Sequence, residues 1–325
     1  MQKYNLLLLS SSNHVELVNS FKEAYNRLDL TGSILTGDTK QYCASAMVSN
    51  KHFTLPKSES IDYFPYLEKL IKENGINIVL TARDEELEIL SKRKNFFEEL
   101  GCFLLVSDSK SIELCRNKLK LNNFFLENNI PHPKTYIFED LMDNKAIQYP
   151  LICKPKMGKG GVGIYIVNQF KSIKHLISDL STYFFQEFID GDWEYTIDVL
   201  NDLDRNVLSI IPRKRLLIKG GESYTSITEK NETLINYAKL ISEKIGFIGH
   251  INIQCIMKDK VPYFIEINPR FGGASNLAFK AGMDSPYKIM QMITGEKVHP
   301  FIGDFENDFM MLRYTQDFFI KIQDD

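Results

Sequence analysis

Residues 264–273, FIEINPRFGG, decide the fold of this 325-residue chain when they are read together with residues 251–257, INIQCIM. Apolar and polar residues alternate in both segments, which predicts two β-strands with one apolar and one polar face each. The residues between them centre on Lys260, so the two strands are expected to pair as an antiparallel hairpin.

The polar face of this hairpin carries four oxygen-bearing side chains. A turn centred on Lys260 sets Gln254 opposite Glu266 and Asn252 opposite Asn268. Carboxylate and amide oxygens without thiolate or imidazole suit a hard ion such as Mg²⁺. An arginine two residues further along the same face suits an anionic group beside the ion. The alternative is an exposed polar sheet face, but Asn and Glu are unfavourable inside strands, which favours a functional site.

A glycine-rich segment at residues 152–166, ICKPKMGKGGVGIYI, is the second candidate site. A predicted strand delivers Lys154, and four glycines follow between residues 158 and 163. Glycines let backbone N–H groups approach phosphate oxygens, and the flanking lysines add positive charge. A P-loop would need G-K-[ST] followed by a helix, whereas here the strand-like IYIV follows, so a P-loop is excluded. A plain glycine hairpin between strands is the alternative.

Residues 185–199, FQEFIDGDWEYTIDV, are the third candidate. A strand end that crosses between two lobes can offer backbone donors and acceptors to the edge of an adenine ring. Glu194, at the start of the next strand, can then accept hydrogen bonds from ribose hydroxyls. An ordinary β-turn with an exposed glutamate is the alternative.

The first hundred residues alternate strand-like runs with helix-like segments, which predicts a mostly parallel sheet covered by helices. Long helices are expected over residues 85–100 and 109–129, the second closed by IPHP. No G-x-G-x-x-G follows the first strand, so a dinucleotide fingerprint is missing. From residue 149 onward the pattern is β-rich and punctuated by glycine.

Composition excludes several classes of protein. Lys and Arg total 39 against 42 Asp and Glu, a balance that argues against a nucleic-acid binder. No apolar run is long enough to span a bilayer, and the leucine run near the N-terminus is too short for a secretory signal. Five scattered cysteines fit reduced thiols in a core. The sequence therefore predicts a cytoplasmic protein without membrane or nucleic-acid partners.

The three candidate segments, in this order, resemble the ATP-grasp superfamily, and most of all its branch like the carbamoyl-phosphate synthase large subunit. The residues that carry the resemblance are Lys118, Lys154 with its glycines, QEFIDGDWE, NIQ and EINPR. The resemblance implies an α/β domain followed by an α+β fold. A Rossmann-like, parallel-sheet pre-ATP-grasp domain is expected at residues 1–108, and a two-lobed ATP-grasp domain at 109–300. Its mobile lobe would cover about 134–187, and residues 301–325 would form a tail of unknown purpose.

The resemblance also implies roles residue by residue. Two lysines contact the nucleotide, and the second of them reaches the α- and β-phosphates and counts as catalytic. Arg270 is the second catalytic residue, beside the γ-phosphate and an acyl-phosphate. The implied nucleotide site comprises Lys118, Lys154, Gly160, Gly161, Gly163, Glu187, Phe188, Ile189 and Glu194. The implied metal ligands are Gln254, Glu266 and Asn268. The usual ATP-grasp set often has an acidic residue where Gln254 stands, although the carbamoyl-phosphate branch also has glutamine there.

The chemistry implied by the resemblance is ligation of a small carboxylate to an amine through an acyl-phosphate, with release of ADP and phosphate. ATP and Mg²⁺ (or Mn²⁺) are the implied cofactors, and small-molecule carboxylate and amine substrates the partners. Bicarbonate activation, as in one half of a carbamoyl-phosphate synthase, and an inactive ATP-binding module are the alternatives. Homodimers are common among such enzymes, so a homodimer is the implied assembly.

Two further segments are candidates for substrate recognition. Arg213 and Arg215 share one face of a predicted strand and could bind a substrate carboxylate by bidentate bonds, or they could form a solvated basic edge. Residues 81–85, TARDE, follow a strand end of the first domain, where open α/β sheets bind ligands. Asp84 and Glu85 could equally serve the start of the following helix.

Overall fold

A computed structural model describes residues 2–143, 147–158, 162–169 and 179–321. These residues form three β-sheets with helices packed against them. None of the helices in the described ranges is both long and apolar enough to cross a membrane.

The first sheet has five parallel strands, as the alternating pattern predicts. Its strands are β1 (Tyr4–Leu9), β2 (Gly32–Asp38), β3 (Lys51–Thr54), β4 (Ile78–Thr81) and β5 (Phe103–Leu104). Its helices are α1 (Val15–Arg27), α2 (Ala44–Val48), α3 (Tyr63–Asn74), α4 (Asp84–Ser91) and α5 (Lys94–Glu99). The strand order is β3-β2-β1-β4-β5, with β1 at the centre. Its four leucines are fully buried, because helices cover both faces of a parallel sheet.

Both long helices predicted from the sequence are wrong as single helices. The segment 85–100 is divided into α4 and α5, because Arg93 has a non-helical backbone. The segment 109–129 is divided into α6 (Ser109–Arg116) and α7 (Lys118–Glu127). Asn117 is extended between them, and its side chain accepts hydrogen bonds from the N–H groups of Leu119 and Lys120. This cap makes Lys118 the first residue of a helix.

The second sheet has four antiparallel strands. They are β6 (Thr135–Tyr136), β7 (Leu151–Pro155), β8 (Tyr165–Val167) and β9 (Tyr183–Glu187), in the order β6-β9-β7-β8, and α8 (Phe138–Asp143) packs against them. A short 3₁₀ turn (Leu180–Thr182) precedes β9. Gly160 and Gly161 of the predicted phosphate loop lie outside the described residues. Gly163, with a φ of 76°, comes just before β8.

The third sheet has six antiparallel strands. They are β10 (Trp193–Asn201), β11 (Val207–Lys219), β12 (Glu222–Thr228), β13 (Gly249–Lys258), β14 (Val261–Asn268) and β15 (Met310–Leu312), in the order β14-β13-β10-β11-β12-β15. Helix α9 (Glu232–Ile245) packs on β10 and β11. After β14 come α10 (Asn276–Ala278), a π-helical turn (Phe279–Met283) and α11 (Ser285–Ile293).

The β13–β14 hairpin has the predicted register. Gln254 pairs with Glu266 and Asn252 pairs with Asn268. The turn itself is a two-residue turn at Asp259 and Lys260, both with positive φ. Such a turn alone would set Gln254 opposite Ile265, but a β-bulge at Ile265 shifts the register by one residue. The bulge therefore brings the glutamine and the glutamate to the same place on the sheet.

Part of the C-terminal segment that sequence reasoning left unexplained packs against the third sheet. Phe305 is buried in the main core, and β15 extends the sheet by pairing with β12. Arg313, directly after β15, donates hydrogen bonds to Glu222 and to the carbonyl of Gly273.

Candidate active site

The face of the six-stranded sheet opposite its apolar core is polar. On β10 and β13, alternate residues such as Ile197, Val199, Ile251 and Ile253 are fully buried in the core. The residues between them point to the other face, because side chains alternate along a strand. Side chains on this polar face are Glu194, Thr196, Asp198, Arg213, Arg215, Asn252, Gln254, Glu266 and Asn268.

One end of the polar face gathers charged residues from three separate segments, and we call Lys118, Lys154 and Glu266 the phosphate end. Lys118 Nζ lies 3.8 Å from Glu266 Oε1 and donates a 2.7 Å hydrogen bond to the carbonyl oxygen of Gly158. Lys154, on β7 of the other sheet, is 7% exposed. The structure thus brings together two lysines and a glutamate that lie up to 148 residues apart in the sequence (266 − 118).

The charges of the phosphate end influence one another. The pKa of Lys154 is lowered to about 8. Burial is the main cause, the negative charge of Glu266 opposes it, and the positive charge of Lys118 adds to it. With this pKa, Lys154 still carries its positive charge at neutral pH, and the carboxylate that acts on it is Glu266. An anionic ligand would therefore be favoured at this end of the face.

Arg270 lies at the rim of the phosphate end and is bound by the first domain. Its Nε donates to Asp84 Oδ1 at 2.8 Å, and its Nη2 donates to Asp84 Oδ2 at 2.7 Å. Burial works to lower the pKa of Arg270, but the Asp84 carboxylate outweighs it and the pKa is raised. The segment 81–85 therefore contacts the loop that follows β14, a relation that the sequence left open. Sequence reasoning missed the pair because its members lie 186 residues apart.

The predicted metal ligands form a small oxygen-donor group. Gln254 and Glu266 are cross-strand partners, and Asn268 is two residues further along β14. No three His, Cys, Asp or Glu side chains gather into a metal-binding group in the ranges that the structure describes. A cation here would therefore depend on one carboxylate, amide oxygens and phosphate oxygens, a donor set that suits Mg²⁺.

Asn252 shares the polar face with these three residues, as the sequence predicts, but its side chain is bonded within the protein. Its amide is 3% exposed and donates hydrogen bonds to Asp198 and Ser275. The loop after Arg270 also lies directly against it, since a Cβ added to Gly272 would come 2.1 Å from Asn252 Oδ1. Asn252 is therefore a packing residue beneath that loop.

The other end of the polar face, which we call the closed end, centres on Asp198, Arg213 and His250. Asp198 is fully buried and accepts hydrogen bonds from Arg213 Nε and, at 2.8 Å, from Ser275. His250 Nε2 lies 2.9 Å from Asp198 Oδ1, and the imidazole stacks on Phe271. Burial works to raise the pKa of Asp198, but Arg213 and His250 lower it to about 2.

The closed end was missed by sequence reasoning. Its signal is a charged or polar residue at alternate positions of strands that are otherwise apolar, as in YTIDVL and HINIQ. Arg213, predicted to bind a substrate carboxylate, is 2% exposed and paired with Asp198. Its substrate role is not tested by this placement and stays a prediction.

Arg215 and Glu194 form a pair on the neighbouring strands β11 and β10, two residues from Arg213 and Thr196. Arg215 is 7% exposed and donates to Glu194, to Ser223 at 2.8 Å and to the carbonyl of Gly221 at 2.6 Å. The Glu194 side chain keeps 31% of its surface exposed. Glu194 can thus be reached by a ligand, and its predicted ribose contact stays a prediction, as does a substrate contact by Arg215.

The predicted adenine hinge connects the second and third sheets. Glu187 ends β9, and Phe188 and Ile189 lead toward β10. The Glu187 N–H donates to the Lys134 carbonyl at 2.8 Å, and the Phe188 N–H donates to the Pro150 carbonyl at 3.4 Å. These three residues therefore occupy the crossing between two lobes that the sequence predicts, while their contact with adenine stays a prediction.

Two family models match the chain. Residues 6–105 match the PylC-like N-terminal domain, and residues 115–274 match an ATP-grasp domain. The carbamoyl phosphate synthase arginine-specific large chain of Geobacillus stearothermophilus is 30% identical over 252 residues, which cover 71% of this chain and 24% of the relative. The chain thus spans about a quarter of the length of the curated relatives that it matches.

Solved structures share the fold. The biotin carboxylase domain of Hydrogenobacter thermophilus 2-oxoglutarate carboxylase, solved as a dimer with MgADP and bicarbonate, aligns with a TM-score of 0.75 at 17% identity. It covers 94% of this chain and 73% of that one. The L-amino acid ligase from Bacillus licheniformis aligns with a TM-score of 0.69 at 20% identity, covering 92% of this chain and 78% of that one. The predicted fold, a parallel-sheet domain followed by two antiparallel lobes, is confirmed.

Proposed function

The chain belongs to the ATP-grasp superfamily, and from this premise we propose that it is an ATP- and Mg²⁺-dependent ligase joining a carboxylate to an amine. The observation that carries the proposal is the phosphate end itself. Lys118, Lys154 and Glu266 come from three separate segments and meet at the junction of two sheets, with the predicted adenine hinge between those sheets. A triphosphate bound there would place its charge beside both lysines.

In this proposal the chain supplies position and charge. Lys154 and Lys118 hold the phosphates, the hinge at residues 187–189 holds the adenine, and Glu194 accepts the ribose hydroxyls. Gly158 and Gly163 let the backbone of this segment approach the phosphates. Arg270 faces the γ-phosphate and the carboxylate that attacks it. We also propose domain boundaries at residues 108 and 300, as the family resemblance implies.

The donor set at the phosphate end fits a magnesium ion. Glu266, Gln254 and Asn268 would hold it, with Mn²⁺ as a substitute of the same ligand preference. When bound, such an ion neutralises charge on the phosphate oxygens. The side chains of the protein bind and orient the substrates, and the substrates supply the nucleophiles.

The reaction would proceed in two displacements. An oxygen of the substrate carboxylate attacks the γ-phosphorus, the bond to the bridging oxygen of ADP breaks, and ADP leaves. The amine nitrogen then attacks the carbonyl carbon, phosphate departs with the former carboxylate oxygen, and the amine loses a proton to solvent. Lys118, Lys154 and Arg270 stabilise the charge that develops, so no side-chain nucleophile is needed.

Bicarbonate is the second candidate for the first substrate. It is favoured by one observation, that the curated relatives are carbamoyl phosphate synthase large chains. The L-amino acid ligase neighbour favours an amino acid carboxylate instead. Homodimer formation, as in the Hydrogenobacter domain, stays a prediction for this chain.

The test is release of ADP and phosphate from Mg·ATP across a panel of amino acids, other carboxylates and bicarbonate. Release that depends on an organic carboxylate together with an amine supports the ligase. Release that depends on bicarbonate alone supports the second candidate. ATP binding with no turnover anywhere in the panel contradicts both and identifies a binding module.

A further inference from the structure

We propose that Asp84 of the N-terminal domain is a positioning residue for Arg270, so that the parallel-sheet domain takes part in phosphoryl transfer through this ion pair. The inference rests on the proposed function and extends it to a residue outside the ATP-grasp match at 115–274. The N-terminal domain would thus contribute to the reaction by orienting Arg270, without itself contacting the nucleotide or the metal.

The contact between the two residues is bidentate. Both carboxylate oxygens of Asp84 accept from the guanidinium of Arg270, one from Nε and one from Nη2. A planar guanidinium held at two adjacent nitrogens cannot rotate about its long axis. The Asp84 side chain is 9% exposed and that of Arg270 is 19% exposed, so water competes little for these bonds.

Arg270 keeps donors for a ligand after this contact. A guanidinium has five N–H donors. Two are used by Asp84, and a third, on Nη1, donates to the Phe271 carbonyl at 2.9 Å. Among the described residues these contacts leave one N–H on each Nη nitrogen. The negative charge of Glu266 also acts on this guanidinium, so the two remaining donors lie within the electrostatic reach of the phosphate end.

Asp84 is itself held firmly by its own domain. It is the first residue of α4, directly after the carboxyl end of β4, where the helix N-terminus favours a negative charge. The preceding loop is fixed because Thr81 accepts from the Arg83 N–H and donates to Glu86. Glu86 also accepts a 2.9 Å bond from the Tyr63 hydroxyl.

Arg270 lacks comparable support from its own segment. It follows β14 through Pro269 and lies in the loop that leads to Gly272 and Gly273. Its side-chain contact within that loop is the single bond to Phe271. Without Asp84 the guanidinium would be free to turn, and a displacement of about 1 Å at a reacting centre costs on the order of 100-fold in rate.

The experiment is a double-mutant cycle in the full chain, measuring kcat and KM for ATP with the carboxylate that stimulates ADP release. Asp84→Asn is expected to lower kcat by about 100-fold, with KM for ATP nearly unchanged. Asp84→Glu keeps the charge but moves the carboxylate by one methylene, and is expected to lose about tenfold. It also serves if Asp84→Asn does not fold.

Glu88→Gln is the matched control, because it removes a negative charge one turn further along α4, where the carboxylate pairs with the exposed Lys92. Its kcat is expected to stay near that of the wild type. In the Arg270→Ala background, Asp84→Asn is expected to cause no further loss, since a positioning residue has nothing left to position.

Three results separate the inference from the function on which it rests. Wild-type turnover with an unimpaired Asp84→Asn variant overturns the inference alone. Losses that multiply in the double variant also overturn it, because Asp84 would then act independently of Arg270. A folded wild-type chain without turnover on any substrate overturns the proposed function and the inference with it.

Discussion

The phosphate end and the closed end lie on the same face of the same sheet, and both contain acidic and basic side chains. At the closed end, Asp198 is fully buried and bonded to Arg213, Ser275 and Asn252. At the phosphate end, Glu266 keeps 29% of its side-chain surface, and its ion pair with Lys118 spans 3.8 Å. The same kinds of charged side chain thus form a buried, fully bonded cluster at the closed end and a partly exposed site at the phosphate end.

The difference lies in how fully each charge is compensated. A buried carboxylate with several short bonds has little capacity for a ligand, and removing a partner leaves a charge without solvent. Glu266 is partly exposed, and its ion pair with Lys118 is long. Lys118 and Lys154 can therefore still bind phosphate oxygens.

Glu266→Gln breaks the phosphate end. Removing the one carboxylate among the proposed metal ligands is expected to lower kcat by about 10³-fold, while thermal unfolding stays unchanged. Steady-state ADP release and a melting curve measure the two effects. Glu113→Gln, an exposed carboxylate paired with Lys120, is the control with normal turnover. Retained activity in Glu266→Gln would refute the metal assignment.

Asp198→Asn disrupts the closed end, and it is expected to lower stability while ATP binding is kept. Loss of the charge leaves Arg213 buried without its partner, which should lower the free energy of unfolding by about 3–5 kcal/mol. KM for ATP in the folded variant should not change. Denaturant unfolding and nucleotide titration give both values. A stable variant with weakened ATP binding would show that the closed end belongs to the nucleotide site.

The pKa of Lys154, about 8, gives the phosphate end a pH dependence. The lysine carries its positive charge below pH 8 and loses it above, so kcat/KM for ATP should fall by about tenfold per unit at higher pH. Lys154→Arg keeps its charge throughout this range, so its profile should be flat there. An identical fall in Lys154→Arg would assign the pH dependence to another group.

Glu194→Gln gives the smallest expected effect, because Glu194 would contact the ribose and not the reacting phosphate. Loss of a charged acceptor for ribose should raise KM for ATP by about tenfold. Arg215 keeps its bonds to Ser223 and Gly221 and the lost carboxylate is partly exposed, so the free energy of unfolding should fall by less than in Asp198→Asn. Glu229→Gln, which loses contacts to Tyr195 and Lys214, is the matched control. Equal KM values in both variants would remove Glu194 from the nucleotide site.

Much of the fold follows from local patterns that the sequence displays. The leucine run of β1 and the alternation in β13 and β14 are readable because hydrophobic periodicity is a local property of the sequence. The hairpin register was predicted from a turn centred on Lys260, whereas the molecule reaches it with a turn at residues 259–260 and a bulge at Ile265. The turn shifts the register by one residue from the predicted pairing, and the bulge shifts it back.

The rest depends on contacts between distant segments. Breaks at Arg93 and Asn117 divide helices whose apolar periodicity runs on without a proline. The Asp84–Arg270 pair and the Asp198–His250 contact join residues 186 and 52 positions apart, and no local pattern encodes either. The strand β15 is three residues long and is defined only by its pairing with β12.

The most direct test of the account follows oxygen from the carboxylate to phosphate. A substrate carboxylate labelled with ¹⁸O in both positions is incubated with the enzyme, Mg·ATP and the amine, and the released phosphate is analysed by mass spectrometry. Formation and breakdown of an acyl-phosphate transfers one labelled oxygen to each phosphate, and this is the predicted result. Phosphate released without label, while ADP accumulates, would mean that water attacks ATP and would contradict the proposed ligase.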